Sequence, residues 1–206
     1  MTIGICGKYE PLGLVRKTRN VLFFDTETLS LNPYADDAKL ITTQIKVNGT
    51  MTVLKEWDIG EVNLILELIS RFDAFANNFK NRKYMPVVTY HGLFDILYIF
   101  GRMNVLGFSE FDVQKAMELF MTIKHIDLLQ YDNGYLLSLN AVCMKYNINP
   151  ECIFDGSDIH RLYYEGQFND IVAHGTDDVN RLYRLVTETP LSDRFFIDNI
   201  GVLNGK

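Results

Sequence analysis

The first strong pattern along the chain is the apolar run Val21-Leu22-Phe23-Phe24, which ends in Asp25-Thr26-Glu27-Thr28-Leu29. The run is short, partly aromatic and β-branched, and follows the polar, basic Arg16-Lys17-Thr18-Arg19-Asn20, so it predicts a buried central strand. From Lys39 to Val47, Ile41, Thr43, Ile45 and Val47 alternate with Leu40, Thr42, Gln44 and Lys46, which predicts a half-buried strand. Asn48-Gly49 is a hairpin signal, and residues 52–57 read as the returning strand, so this part of the sheet should be antiparallel. Residues 60–75 place Val62, Leu64, Ile65, Leu68, Ile69 and Phe72 at helical spacing. Pro86 to Tyr90 reads as another short buried strand, with Gly92 turning the chain into an apolar helix over 93–103. A helix over 109–121, a strand over 123–129, a helix over 134–146, a turn over 147–152, and helices over 157–164 and 169–187 follow, the last ended by Pro190. Residues 1–20, 31–37 around Asn32-Pro33, 80–83 and 191–206 read as irregular. Strands first, then strands alternating with helices, then helices alone, predict an α/β fold with a mixed β-sheet flanked by α-helices. The expected organisation is one domain over 1–206.

Composition adds bounds. The chain has 206 residues, of which 48% are hydrophobic and 22% charged, the balance of a globular domain with a sizeable core. No stretch has the form of a secretory signal or a membrane span, so the expectation is a cytoplasmic protein without a membrane partner. Cys6, Cys143 and Cys152 are odd in number and lack C-x-x-C spacing, which argues against a disulfide framework or a zinc site. A net charge of −6 argues against non-specific duplex binding, which relies on many phosphate neutralisations. It leaves room for a small nucleic-acid footprint at a site where bound cations supply the positive charge.

The chemistry begins with Asp25 and Glu27. Residues two apart in a strand project from one face, so both carboxylates leave the end of the first strand together and require a divalent cation or a large pKa rise in one of them. The bland alternative is a strand running out into a solvated turn. Asp95 stands in the first turn of the helix over 93–103, among Leu93, Phe94, Ile96 and Leu97, where a purely surface acid is out of place. On the last helix His174 and Asp178 are four apart and share a face, while Asp177 is turned about 100° aside. Together Asp25, Glu27, Asp95 and Asp178 can assemble a two-metal phosphodiesterase site.

This ordered set resembles the DEDD superfamily of 3′–5′ exonucleases, which has a ribonuclease H-like fold. FFDTETLSL carries the first motif at Asp25 and Glu27, YHGLFDILYIF the second at Asp95, and HGTDDVNRLYRL the third at Asp178. The likeness is closest to stand-alone exonucleases related to the proofreading domain of family-B DNA polymerases. In that group a D-L-L/M segment, a Leu-rich helix, a G-S-x-(V/I) step and a Y-x-x-G precede the third motif. Here these are Asp127-Leu128-Leu129, residues 136–146, Gly156-Ser157-Asp158-Ile159 and Tyr163-Tyr164-Glu165-Gly166, so the motif core covers about 20–187. Two positions depart from the pattern. His174 stands where the polymerase-like subgroup has tyrosine, and the histidine subgroup places its His one residue further from the Asp. His91 stands where asparagine is common.

The resemblance implies a metal-dependent 3′–5′ exonuclease that releases 5′-mononucleotides from single-stranded nucleic acid, DNA favoured. It implies two Mg²⁺ or Mn²⁺ ions on Asp25, Glu27, Asp95 and Asp178, with Asp25 bridging them. His174, one helical turn before Asp178 and with an ordinary pKa of about 6.5, is expected as the general base, a packing or capping residue being the competing reading. Thr28, Leu29 and His91 would meet the terminal nucleotide, and replication or repair proteins are possible partners. A catalytically silent relative that binds nucleic acid or a protein is the alternative. His125 and His160 have no evident partner and read as structural or exposed, Asp127 as a cap or brace, and Lys80 to Lys83 as a solvated loop. Most of the aromatic residues read as core, with one or two available to stack on bases.

Overall fold

The structure, a computed structural model, describes residues 21–77, 86–131 and 137–189. The predicted lead-in over 1–20, the basic loop 80–83, Pro190 and the tail lie outside these residues, as does the start of the helix expected over 134–146.

Five strands form one sheet in the order β3-β2-β1-β4-β5. They are β1 (Leu22–Thr28), β2 (Leu40–Val47), β3 (Thr50–Lys55), β4 (Pro86–Thr89) and β5 (Lys124–Asp127). β2 runs antiparallel to both β1 and β3, whereas β1, β4 and β5 are parallel. The β2–β3 turn is the expected two-residue kind, with Asn48 at φ 52° and Gly49 at φ 83°, the left-handed pair that matches strand twist. Seven α-helices lie among the described residues: α1 (Glu56–Ile59), α2 (Glu61–Asn77), α3 (Gly92–Val105), α4 (Glu110–Thr122), α5 (Leu139–Lys145), α6 (Ile159–Tyr164) and α7 (Phe168–Glu188). The result is an α/β mixed sheet flanked by helices, compatible with a ribonuclease H-like fold. None of the described helices is long and apolar enough to cross a membrane.

Alternation along β1 divides the core. Leu22 and Phe24 pack into a cluster with Leu64, Phe72, Ile99 and Phe120, on the side of α2, α3 and α4. Phe23 packs the other way, with Val88, Ile126, Val179, Leu182 and Leu185, under α7. Asp25 and Glu27 therefore continue the α7 face, and Thr26 continues the α3 face. A register shift between Glu27 and Thr28 ends the regular pairing with β2.

Three elements differ from the sequence expectation. Trp57 belongs to α1 and not to the returning strand. Pairing stops at Lys55 opposite Thr42, Gly60 at φ 80° closes the short helix, and the indole stacks on Phe168 at 4.5 Å. β5 is shorter than 123–129 because Asp127 Oδ1 accepts from the Leu129 N–H at 3.0 Å, folding the chain into the 3-10 turn Leu128–Tyr131. The helix over 157–164 begins as a 3-10 turn, Gly156–Asp158, closed by reciprocal capping between Asp155 and Asp158.

The loop leaving β1 is held by a buried ion pair. Arg102 on α3 donates from Nε to Glu61 Oε1 at 2.8 Å, from Nη2 to Glu61 Oε2 at 2.9 Å, and from Nη1 to the Pro33 carbonyl at 2.8 Å. Glu61 Oε1 also accepts from the Leu40 N–H at 2.7 Å. Gly101 packs directly on Pro33, where a Cβ would clash. Both charged side chains are 7% exposed, so removing one leaves the other buried and uncompensated. Arg102→Met should lower unfolding free energy by roughly 3–5 kcal/mol in urea denaturation. A loss under about 1 kcal/mol, the scale of an exposed pair, would contradict a clamp role.

Candidate active site

The end of β1 lies between α7 on one face and α3 on the other. Acids from both faces gather there. Asp95 reaches it from the first turn of α3 through a tight turn after β4: His91 adopts a left-handed conformation (φ 62°, ψ 29°), and Gly92 packs where any Cβ would run into the Thr89 side chain. The His91 N–H donates to Asp127 Oδ1 at 2.8 Å, so Asp127 braces this turn, as its sequence position implied. Thr26 Oγ1 donates to Asp95 Oδ1, linking strand and helix directly.

On the opposite face α7 comes unusually close to β2. A Cβ at Gly175 would overlap the buried Gln44 carboxamide. This contact seats His174 and Asp178 over the β1 acids. His174 Nε2 lies 3.7 Å from Glu27 Oε1 and 3.9 Å from Asp178 Oδ2, and the ring is buried, with Nδ1 lacking a hydrogen-bond partner. Asp177 turns aside as expected, and its Oδ2 accepts from the Glu151 and Cys152 N–H groups at 3.2 and 3.4 Å. A cleft of about 450 Å³ opens on this cluster, lined among others by Asp25, Glu27, His174, Asp178, Asn140 and Arg181.

Burial and mutual repulsion dominate the electrostatics. Burial pushes the Asp25 carboxyl well above the usual carboxylate range, and Glu27, Asp95 and Asp178 add to the shift. Glu27 is raised well above its usual range by burial, then by Asp178 and Asp95. Asp95 is raised from 3.8 to about 7 by burial, against the opposing hydrogen bond from Thr26. Burial also raises Asp178, while His174 and Arg181 pull it down.

This set fits hard divalent cations by charge and by donor chemistry, since all four acids offer oxygen. Among the described residues Asp25, Glu27 and Asp95 have no lysine or arginine in ion-pair contact, and no group of three His, Cys, Asp or Glu side chains is positioned to hold a metal ion as the side chains stand. Sequence reasoning missed Arg181. Its signal was the spacing of three and four residues after Asp178 and Asp177, which stacks a cation over both acids on one helix.

The other sequence candidates lie around the cluster. Thr28 donates to the Ser30 carbonyl at 3.0 Å. Leu29 is buried with Ile41, Ile159, Leu162 and Ile171. His91 presents an exposed ring stacked on Phe94. None of these three lines the cleft, and nor do His125 and His160. His160 lies 3.5 Å from Asp37 on the surface. His125 is pushed below its usual pKa by burial, and its Nε2 has no hydrogen-bond partner.

No protein-family model and no curated protein matches the chain. One solved structure similar to it is described as the apo form of the nuclease, with 16% identity, a TM-score of 0.27, and coverage of 86% of this chain and 91% of that one. At that score the likeness carries no argument about function.

The raised carboxyls make a prediction with a definite sign. A folded state that keeps protons the unfolded chain has released loses stability as pH rises. For Asp95 that loss runs from the ordinary 3.8 up to about 7, and Asp25, Glu27 and Asp178 shift in the same direction. In EDTA the melting temperature should fall between about pH 5 and pH 7.5, and Mn²⁺ should restore it at the upper end. A chelated protein whose melting temperature is flat or rising across that window would overturn the assignment of these acids.

Proposed function

We propose that the protein is a metal-dependent 3′–5′ exonuclease that releases 5′-mononucleotides from single-stranded nucleic acid, with DNA the favoured substrate. The observation that carries this reading is the convergence of Asp25, Glu27, Asp95 and Asp178 from three elements on one buried strand end, where each raises the pKa of Asp25 or shares its shift. The ordered motifs along the chain support the same reading. Asp25, Glu27, Asp95 and Asp178 would hold two Mg²⁺ or Mn²⁺ ions, which when bound supply water activation and neutralise charge gathering on the phosphate.

The chain's own residues account for the remaining steps. Water attacks the terminal phosphorus, the bond from phosphorus to the 3′-oxygen of the preceding nucleotide breaks, and that oxygen takes a proton from solvent, so that a 5′-mononucleotide and a new 3′-hydroxyl result. His174 Nε2, facing Glu27 and Asp178, takes the proton from the attacking water. Thr28, the last residue of β1, and His91, in the turn after β4, lie outside the cleft lining and would contact the part of the terminal nucleotide that extends beyond it. Leu29 would act by supporting Thr28 from the core. A partner from replication or repair and a cytoplasmic location are consistent with this role.

A second reading is a silent relative that binds nucleic acid or protein without cleaving it. The pairing of Asp178 with Arg181 favours it, because a carboxylate held by a guanidinium is not free to ligate.

Release of mononucleotide from a 3′-labelled single strand in Mg²⁺ or Mn²⁺ separates the two. Asp25→Ala should abolish release while leaving the circular dichroism spectrum native, since it removes the acid that all the others face. Substantial residual activity would rule out Asp25 as the shared ligand. His174→Ala should lower kcat by roughly 10²- to 10⁴-fold, the usual contribution of a general base, with Mn²⁺ affinity little changed. A rate within a few-fold of the wild type would remove His174 from the chemistry.

A further inference from the structure

Among the described residues that line the cleft, Arg181 is the one lysine or arginine, and its side chain is 4% exposed. Two of its three nitrogens donate hydrogen bonds, Nη1 to Asn140 Oδ1 and Nη2 to Asp178 Oδ1, while Nε lies 3.1 Å from Asp177 Oδ2 as an ion pair and makes no hydrogen bond. These partners are not equivalent. Asp177 is tied down by two backbone N–H groups of the segment before α6, and Asn140 lies in the first turn of α5. Asp178 belongs to the acid cluster, and its other oxygen lies 3.9 Å from His174 Nε2. The guanidinium is thus anchored on one side to the scaffold and on the other to an acid of the site.

We propose that Arg181 is a placeholder cation that becomes a phosphate ligand. It holds Asp178 while no metal is bound, gives that carboxylate up to a divalent ion, and then turns the freed Nη2 edge toward the phosphate of the terminal nucleotide. The proposal rests on the exonuclease reading above and adds a residue to it.

Three physical points support it. A charge-assisted hydrogen bond occupies the lone pairs through which a carboxylate would ligate a metal, so the guanidinium and the ion compete for Asp178 Oδ1. An incoming divalent cation also repels the guanidinium, while the substrate phosphate attracts it. The planar guanidinium fork matches phosphate oxygens in pairs, which a lysine does not. Because Asp177 and Asn140 retain the rest of the group, release at Nη2 does not require Arg181 to leave the cleft.

The test measures Mn²⁺ affinity by isothermal titration calorimetry without substrate, and turnover of a 3′-labelled single strand, for the wild type, Arg181→Gln and Arg181→Lys. Arg181→Gln should bind Mn²⁺ about 10- to 100-fold more tightly, the scale of one lost charge-assisted hydrogen bond. It should also lose about 10-fold or more in kcat/KM through a raised KM for the strand. Arg181→Lys keeps the charge and loses the fork, so Mn²⁺ affinity should stay near that of the wild type while KM still rises. If Arg181→Gln does not fold, the raised KM of Arg181→Lys at unchanged Mn²⁺ affinity decides the matter. Unchanged or weaker Mn²⁺ binding by a folded Arg181→Gln would overturn the proposal, and so would tighter binding with an unaltered KM. A wild type that neither binds Mn²⁺ nor cleaves the strand would instead overturn the exonuclease reading itself, and this proposal with it.

Discussion

Repulsion between buried carboxylates at the end of β1 is the constraint on which the rest of the structure depends. Placing Asp25, Glu27, Asp95 and Asp178 together costs free energy, because each is desolvated and each opposes ionisation of the others. The protein meets that cost with rigid supports. Gly92 allows the turn that delivers Asp95, Gly175 allows α7 to lie close enough on β2 to deliver Asp178, and the Arg102–Glu61 pair fixes the loop leaving β1. A cluster that is unfavourable on its own and supported from two faces of the sheet makes sense if something positively charged enters it.

Much of this was legible in the sequence because it depends on period and position. The apolar run 21–24 followed by D-x-E fixed both the central strand and the shared face of its two acids. The i, i+4 spacing placed His174 beside Asp178 and turned Asp177 away, and both placements hold in the structure. The hairpin at Asn48-Gly49 followed from turn chemistry alone. What escaped depended on contacts between distant segments. Trp57 is drawn out of the strand pattern by stacking on Phe168, more than a hundred residues later. β5 is cut short by the carboxylate of Asp127, which replaces ladder bonding with local capping. Leu29 follows the acids in sequence, but the register shift after Glu27 carries it into the third core cluster and away from the cleft.

Arg181 marks the limit of reading charge from sequence. It sits in a helix rich in polar residues, where an arginine is ordinarily solvated, and only the packing of α5 and α7 buries it against Asp177, Asp178 and Asn140. Its presence changes the local balance. Asp178 is the cluster acid paired with a guanidinium, and its upward shift by burial is opposed by His174 and Arg181. The site is therefore asymmetric: among the described residues Asp25, Glu27 and Asp95 have no lysine or arginine in ion-pair contact, while Asp178 is paired with Arg181.

The most direct test of the central claim is anomalous diffraction from crystals equilibrated with Mn²⁺, collected at the manganese absorption edge. The account predicts an anomalous peak in contact with Asp25 and Glu27, with Asp95 or Asp178 completing its oxygen ligands. Crystals saturated with Mn²⁺ that place no peak within coordinating distance of Asp25 would contradict it.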